Sequence, residues 1–490
     1  MSIDAIGFAT MATGLVVLML GPVFALWTLL LSTLFGAASA LTIGDPSRGA
    51  SVQPAYILLG FCLLDLLRRD RSRGMLAQAL AWGQPGFWLL ATVVYGAASA
   101  VILPRLFEGQ AYVFTVVRVD GGLGLTLRPL TPVSGNLTQS IYLFGDVVAF
   151  AIGTACAAMP RRLRFLVASF IACAITDLAF GAIDLAAFRA GLGDVLGFLR
   201  NANYRMLSDG ELVGFKRIVG SFPEASSYAY MTLGLFVFSL RLWISGLHMR
   251  WTGPLWIACA GAIVLTTSTS GYVGLIVGGG LAYVHCLIRA AHGRATRAVT
   301  RVIILFPVFG VLSLFVLAFN EAAQQTLLQL GEATVLNKIS TQSGVERGMW
   351  NAQAIEVFFA TSGLGAGVGS VRASSSVIAS LASLGIVGTV LYCRFLLDAL
   401  IRKDVPSGDR YRTSVQGAAR AACIALLASA AVSGGGVDLG LVFFLFAGVG
   451  SSRLLAGRCG VDPAADPKLS AKPSFGSLPS RSGGAAPCPA

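Results

Sequence analysis

Uninterrupted apolar runs, each about as long as a bilayer is thick, recur along the whole chain and decide its solvent. A helix needs roughly 17–25 mainly apolar residues to cross a membrane, and stretches such as 84–105, 139–158, 165–188 and 225–246 have that length and almost no charge. Only 12% of the 490 residues are Asp, Glu, Lys or Arg, and 55% are hydrophobic, whereas an average soluble domain is about 25% charged. So few charges cannot clothe a water-soluble surface. In lipid the backbone must satisfy its own hydrogen bonds, which leaves helices or closed barrels. A barrel would show segments of about 10 residues alternating apolar and polar, and no such series runs through the chain.

The expectation is therefore an all-α fold, a polytopic integral membrane helical bundle of about 12 spans with long periplasmic loops, over residues 1–456. Apolar runs set against basic loops place the spans near 22–43, 54–67, 84–105, 139–158, 165–188, 225–246, 255–269, 270–287, 302–319, 375–393, 416–432 and 436–452. A further run at 5–20, cut off by Gly21 and Pro22, reads as a thirteenth span, a re-entrant piece or an interfacial helix, and as a retained segment since no small-residue cleavage site follows it. The tail 457–490 is rich in Pro, Gly, Ser and Ala and is expected to be disordered and cytoplasmic.

A net charge of +13 would suit a nucleic-acid partner only if the basic residues clustered. They are scattered between apolar runs, in groups such as Arg68, Arg69, Arg71 and Arg73, or Arg161, Arg162 and Arg164, so no nucleic acid is expected. The positive-inside rule then orients the chain. With residues 68–74 in the cytoplasm, 24 of the 36 Lys and Arg lie inside. Nine cysteines without a CxxC spacing and three scattered histidines, His248, His285 and His292, support neither a disulfide framework nor a metal site. Neither metal nor cofactor is expected.

This orientation leaves three long segments outside, at about 106–138, 189–224 and 320–374, and loops of that length are usually functional. In the first, Tyr112–Asp120 and Leu123–Leu130 are β-prone and separated by Gly121 and Gly122, which reads as a hairpin on the outer surface. The second carries Arg189, Arg200, Arg205, Lys216 and Arg217, and the third Lys338, Arg347 and Arg372. Cations outside run against the positive-inside bias. Arg suits phosphate because its planar fork donates two parallel hydrogen bonds, so these loops read either as a basic pocket for a lipid-linked diphosphate or as ordinary pairs with Glu211, Glu224, Glu332 and Glu346.

Local sequence sharpens the picture. Arg217 and Glu224 lie just before the 225–246 span, with Ser226 or Ser227 available as its cap. Later, Ser343, Gly344, Glu346, Arg347 and Trp350 precede a short amphipathic run, Ala352–Ala360. Glycines then follow at 363, 365, 367 and 369, letting backbone approach backbone or ligand closely.

These outer-loop patterns resemble the O-antigen ligase and polysaccharide polymerase superfamily. The resemblance rests on Arg217 with Gly220, Ser221, Phe222, Pro223 and Glu224, and on Ser343, Gly344, Arg347 and Trp350. It extends to the glycine-rich turn, to Leu381 with Gly385, Ile386, Val387 and Gly388, and to the stretch Leu265–Leu275, and covers about residues 205–395. It implies a metal-independent glycosyltransferase in the bacterial inner membrane. Such an enzyme takes a glycan from an undecaprenyl-diphosphate carrier at the periplasmic face and passes it to a glycan acceptor, with a chain-length regulator and a flippase as further partners. Arg217 and Arg347 match two family arginines that would hold the diphosphate and stabilise its growing charge. Lys216, Glu346, Trp350 and Arg372 are the accompanying substrate-binding candidates. The acceptor hydroxyl needs a base. Family ligases supply it from a His-Asn pair, where this chain has Ser374 and Ser375 and no outer-loop histidine, which favours a polymerase of exopolysaccharide or O-antigen repeats. Glu224 is the first choice of base, Glu346 the second, and the plain alternative is that Glu224 neutralises Arg217. Asp146, Asp177, Asp184 and Asp438, in or at the edge of spans, carry the rival reading of a transporter or flippase.

Overall fold

The computed structural model describes residues 2–43, 49–119, 122–203, 206–208, 210–212, 215–319, 325, 342–401 and 409–453. Fifteen α-helices fall within them. Seven are long and apolar enough to cross a membrane: α5 (Pro85–Leu106), α6 (Ser134–Ala158), α7 (Pro160–Arg189), α8 (Ala225–Ile244), α10 (Thr269–Ala291), α13 (Ser376–Leu400) and α14 (Arg410–Ser433). Shorter apolar helices accompany them: α1 (Ala5–Leu20), α2 (Pro22–Ser32), α3 (Pro54–Leu67), α9 (Met249–Leu265) and α15 (Leu441–Ser451). The remaining three are α4 (Asp70–Ala79), α11 (Arg297–Phe319) and α12 (Gln342–Ala360). The chain is a helical, multi-pass membrane protein. The expected tail, 457–490, and Lys338, Glu332 and Arg205 lie outside the described residues.

Two expected spans are not continuous helices. The run 22–43 is helical only to Ser32, after which the chain turns through Gly36 and enters a three-stranded antiparallel sheet of β1 (Ser2–Ile3), β2 (Leu41–Ile43) and β3 (Ala50–Val52). The run 436–452 is helical only from Leu441. Gly434, Gly435, Gly436 and Gly440 favour extended backbone there over helix.

The core is built around α15, whose residues Phe443 to Ala447 are completely buried, as expected of a helix apolar on every side. Phe446 stacks on Phe170 of α7 at 4.4 Å and tilts against Phe238 of α8 at 5.0 Å. Small residues set the spacing between helices in lipid. A side chain at Gly448 would meet the Phe150 carbonyl of α6 at 2.1 Å, and one at Gly153 the Leu445 carbonyl at 2.5 Å.

The hairpin forms from β4 (Tyr112–Val119) and β5 (Gly122–Pro129). Its base packs on α12 through Val113, Leu130 and Val357, and Gln353 Nε2 donates to the Tyr112 carbonyl at 3.0 Å. The amphipathic run 352–360 is the second half of a helix that begins at Gln342, so Glu346, Arg347 and Trp350 are helical and the hairpin braces their helix. The glycine-rich turn that follows serves backbone packing. Gly365 (φ 81°) and Gly385 (φ 62°), which interrupts α13, lie so close that a side chain on Gly365 would meet the Gly385 nitrogen at 2.6 Å. Positive φ at both positions excludes side chains independently of the clash.

Candidate functional site

The stretch Arg217–Glu224 joins β7 (Phe215–Lys216), paired with β6 (Glu211–Leu212), to the start of α8. A buried carboxylate organises it. Asp184 of α7 accepts from the amides of Val219 at 2.8 Å and Gly220 at 3.2 Å, and pairs with Arg200 at 3.6 Å and Lys216 at 3.8 Å. Arg200 reaches on to Asp194 and to the Gly220 carbonyl. Ser221 Oγ donates to the Leu34 carbonyl at 2.6 Å, tying the loop to the end of α2. The segment is thus fixed from both sides.

Lys216, a substrate-binding candidate from sequence, belongs to this frame. Its side chain is 3% exposed, donates to the Ser208 carbonyl and lies over the Phe188 ring at 5.4 Å, so its charge is already compensated. Removing one partner of a buried pair typically costs about 3–5 kcal/mol. Lys216→Ala is therefore expected to lower the yield and melting temperature of folded protein, with turnover per folded molecule changed far less. Size-exclusion profiles and thermal unfolding in detergent, set beside activity, check it.

Arg217 turns the other way. Its Nε donates to the Thr266 carbonyl at 3.1 Å, in the turn between α9 and α10. Thr267 in that turn has φ 47°, a left-handed conformation uncommon for a β-branched residue. Burial pulls the Arg217 guanidinium below its ordinary range, nearby Glu224 pulls it back up, and Arg347 lowers it further. Residues 130 positions apart in sequence are therefore within electrostatic reach of each other. Arg347 Nη1 donates to Ser433 Oγ at 2.9 Å, at the end of α14. Tyr272, at the start of α10, is also within electrostatic reach of Arg217.

Glu224 is the residue at which α8 begins, and Ser226 Oγ donates to its carboxylate. This corrects the expected cap: Ser226 lies inside the first turn, and its hydroxyl holds Glu224 and not a backbone amide. Glu224 acts on Arg217 through space without a contact ion pair. Trp350 and Arg372 meet as a cation–π pair at 4.8 Å, and Asn351 Oδ1 accepts from the Ser374 amide at 2.8 Å, joining α12 to the segment before α13. Glu346 precedes Arg347 on α12 and is half-buried.

The structure therefore brings Arg217, Glu224 and Arg347 together and adds Thr266 and Tyr272, from the stretch 265–275 that sequence reading singled out without assigning them a role, and Ser433, which it passed over. Nothing in a single serine hydroxyl at the end of an apolar run, or in one backbone carbonyl, signals such a role. The cluster offers two guanidiniums and a carboxylate at one end of the bundle, a set able to bind a phosphate-bearing anion and accept a proton beside it. Among the described residues no group of three or more His, Cys, Asp and Glu side chains is arranged to hold a metal ion.

A second polar cluster lies deeper. Asp146 sits at the midpoint of α6 with 0% exposure, both its carboxyl oxygens are buried without a hydrogen-bond partner, and Asp438 lies within electrostatic reach of it. Asp438 also accepts from Tyr56 Oη at 3.0 Å and the Gly440 amide at 2.5 Å. Tyr392 Oη donates to the Val437 carbonyl and Tyr230 Oη to the Leu439 carbonyl. Extended backbone at membrane depth persists only where protein satisfies it, and these tyrosines do so for 437–440. Asp177 is likewise fully buried but is held by Thr232 Oγ1 at 2.8 Å. The chain matches no protein-family model, no curated protein and no solved structure.

Proposed function

We propose that the protein is a membrane glycosyltransferase that polymerises or transfers undecaprenyl-diphosphate-linked glycan units in surface polysaccharide biosynthesis. The observation that carries this reading is the convergence of Arg217 and Arg347 with Glu224 at one end of the bundle. Both arginines stand in the stretches that resemble the O-antigen polymerase and ligase superfamily. In this mechanism the donor diphosphate lies across the two guanidiniums. As the bond from the anomeric carbon to the diphosphate oxygen breaks, negative charge grows on the leaving group, and donors already oriented stabilise it without reorganising. Glu224 accepts the proton of the acceptor hydroxyl, whose oxygen forms the new glycosidic bond. The lipid carrier diphosphate leaves into the bilayer.

The test is a deletion in the native host with analysis of surface polysaccharide length and of lipid-linked intermediates. A polymerase leaves single lipid-linked repeats to accumulate, and a ligase leaves unlinked long chains. Unchanged polysaccharide and unchanged intermediates overturn the reading. The basic-residue count supports a periplasmic placement of the site. A reporter fused after Gly210 is expected to be active only in its periplasmic form, and activity of the cytoplasmic reporter alone would remove the periplasmic chemistry.

A second reading, a multi-span transporter or flippase of lipid-linked or small polar substrates, rests on the Asp146–Asp438 pair at the centre of α6, since intramembrane acids often mark ion paths. It takes precedence if Asp146→Asn abolishes substrate movement in reconstituted vesicles while Arg347→Ala leaves that movement intact.

A further inference from the structure

At the end of the bundle opposite Arg217 and Arg347, an open cavity of about 880 Å³ lies between α8, α10, α13 and α14. Arg241, Arg289, Arg294, Arg410 and Arg420 line it together with His285, and no Asp or Glu is among the described residues of its wall. Arg241 comes from α8 with Nε and Nη1 out of contact with solvent and without a hydrogen-bond acceptor. Buried guanidinium donors are costly to leave unpaired, so Arg241, with Arg289, Arg294 and Arg410 around the same space and no carboxylate among the described residues of its wall, forms a site that an anion would complete. Ser245 and Ser414 add hydroxyls to the same wall.

The shape of the cavity distinguishes between possible anions. Leu281, Val284 and Ile288 of α10 form an apolar side of it, and each is at least one-third exposed. Of the helices long enough to cross the membrane, α10 is the one least buried within the protein. A headgroup among the arginines would thus have its acyl chains against the apolar, lipid-facing side of α10. Basic pockets between helices on the cytoplasmic side suit anionic lipid headgroups, and the basic-residue count puts this end in the cytoplasm. We infer that the cavity is a binding site for the phosphate headgroup of an anionic phospholipid. The site is remote from the proposed glycosyltransferase cluster and stands or falls independently of it.

The test uses the full-length protein, delipidated in detergent and titrated with phosphatidylglycerol or phosphatidylethanolamine, with bound lipid counted by native mass spectrometry. Phosphatidylglycerol is expected to be retained at about one per chain where phosphatidylethanolamine is retained at least tenfold less, since both offer a phosphodiester to the arginine forks but the ethanolamine ammonium brings a like charge among the arginines. Arg241→Gln with Arg289→Gln is expected to reduce that occupancy at least tenfold, and Arg250→Gln, an exposed arginine of α9 outside the cavity wall, to leave it unchanged. Should the Arg241 variant fail to fold, Arg289→Gln with Arg410→Gln carries the same expectation. Equal retention of the two lipids, or undiminished retention by a folded variant, overturns the inference. A third arm adds inorganic pyrophosphate. Saturable binding of pyrophosphate that these variants abolish, without selective lipid retention, assigns the cavity to a soluble phosphate and overturns the lipid.

Discussion

Arg347→Ala and Arg217→Ala are each expected to bring the transfer of lipid-linked glycan to background while leaving folded protein in the membrane near normal. The expectation follows from how each guanidinium is held. Arg347 rests one nitrogen on Ser433 and Arg217 rests Nε on the Thr266 carbonyl, contacts that aim the side chain without neutralising it. Removing one preoriented donor to a growing anion typically costs about 10²–10³ in turnover, and here the donor carries a full charge. Lysine is a poor substitute because the two-pronged geometry is lost. Ser433→Ala removes only the aiming contact, a neutral partner whose hydrogen bond has a modest net value of about 0.5–1.5 kcal/mol or up to twice that when the donor is charged. Its loss is expected to be tenfold or so, with donor affinity weakened. Turnover of lipid-linked repeats by reconstituted protein, normalised to the monodisperse fraction, measures the alanine, lysine and Ser433 variants alike. Normal polymerisation by both alanine variants would sink the diphosphate clamp.

The contrast between Arg217 and its neighbour Lys216 shows what the sequence could reveal and what it could not. Both were legible as cations in a loop between apolar runs, because charge and apolar-run length separate such loops from the helices that flank them. Only the fold separates them: β6 and β7 direct Lys216 back to Asp184 of α7, and Arg217 forward to Thr266. Asp184 was legible as an acid near a span end, but its two amide contacts are to residues 35 and 36 positions away. No periodicity carries that information. The helical architecture and the hairpin were legible from local pattern.

The deeper misreadings have a shared cause. Hydropathy reports that residues 436–452 and 22–43 are apolar, and so suited to lipid, but not whether their backbone is helical. Extended backbone at 437–440 is tolerated because Tyr56, Tyr230 and Tyr392, from three other helices, supply hydroxyls to Asp438 and to the Leu439 and Val437 carbonyls. Those hydroxyls read in sequence as ordinary aromatic filling. The same fold places Asp146 at the centre of α6 against Asp438, a pair whose depth the sequence showed only as two separate acids.

Glu224→Gln separates a proton acceptor from a residue that merely neutralises Arg217, and turnover is expected to fall by roughly 10²–10⁴, the usual worth of a general base. The substitution keeps the local frame, since Ser226 Oγ can donate to an amide oxygen as it does to the carboxylate, and the start of α8 does not depend on the side chain for a cap. It also removes the charge that offsets the burial of Arg217. The Arg217 guanidinium pKa then moves further down, because Glu224 raises it while burial and Arg347 lower it. The ordinary value lies so far above neutral, however, that the guanidinium remains protonated. Donor binding by Arg217 should therefore survive, and the loss should appear in turnover and not in affinity for the lipid-linked donor. If Glu224 only positions Arg217, the order reverses: donor affinity weakens and turnover falls mildly. Glu346→Gln, on the residue preceding Arg347, is measured alongside as the second candidate base. Near wild-type turnover with Glu224→Gln, together with a large loss in Glu346→Gln, would transfer the role of base to α12, and near wild-type turnover in both would remove carboxylate base catalysis from the mechanism.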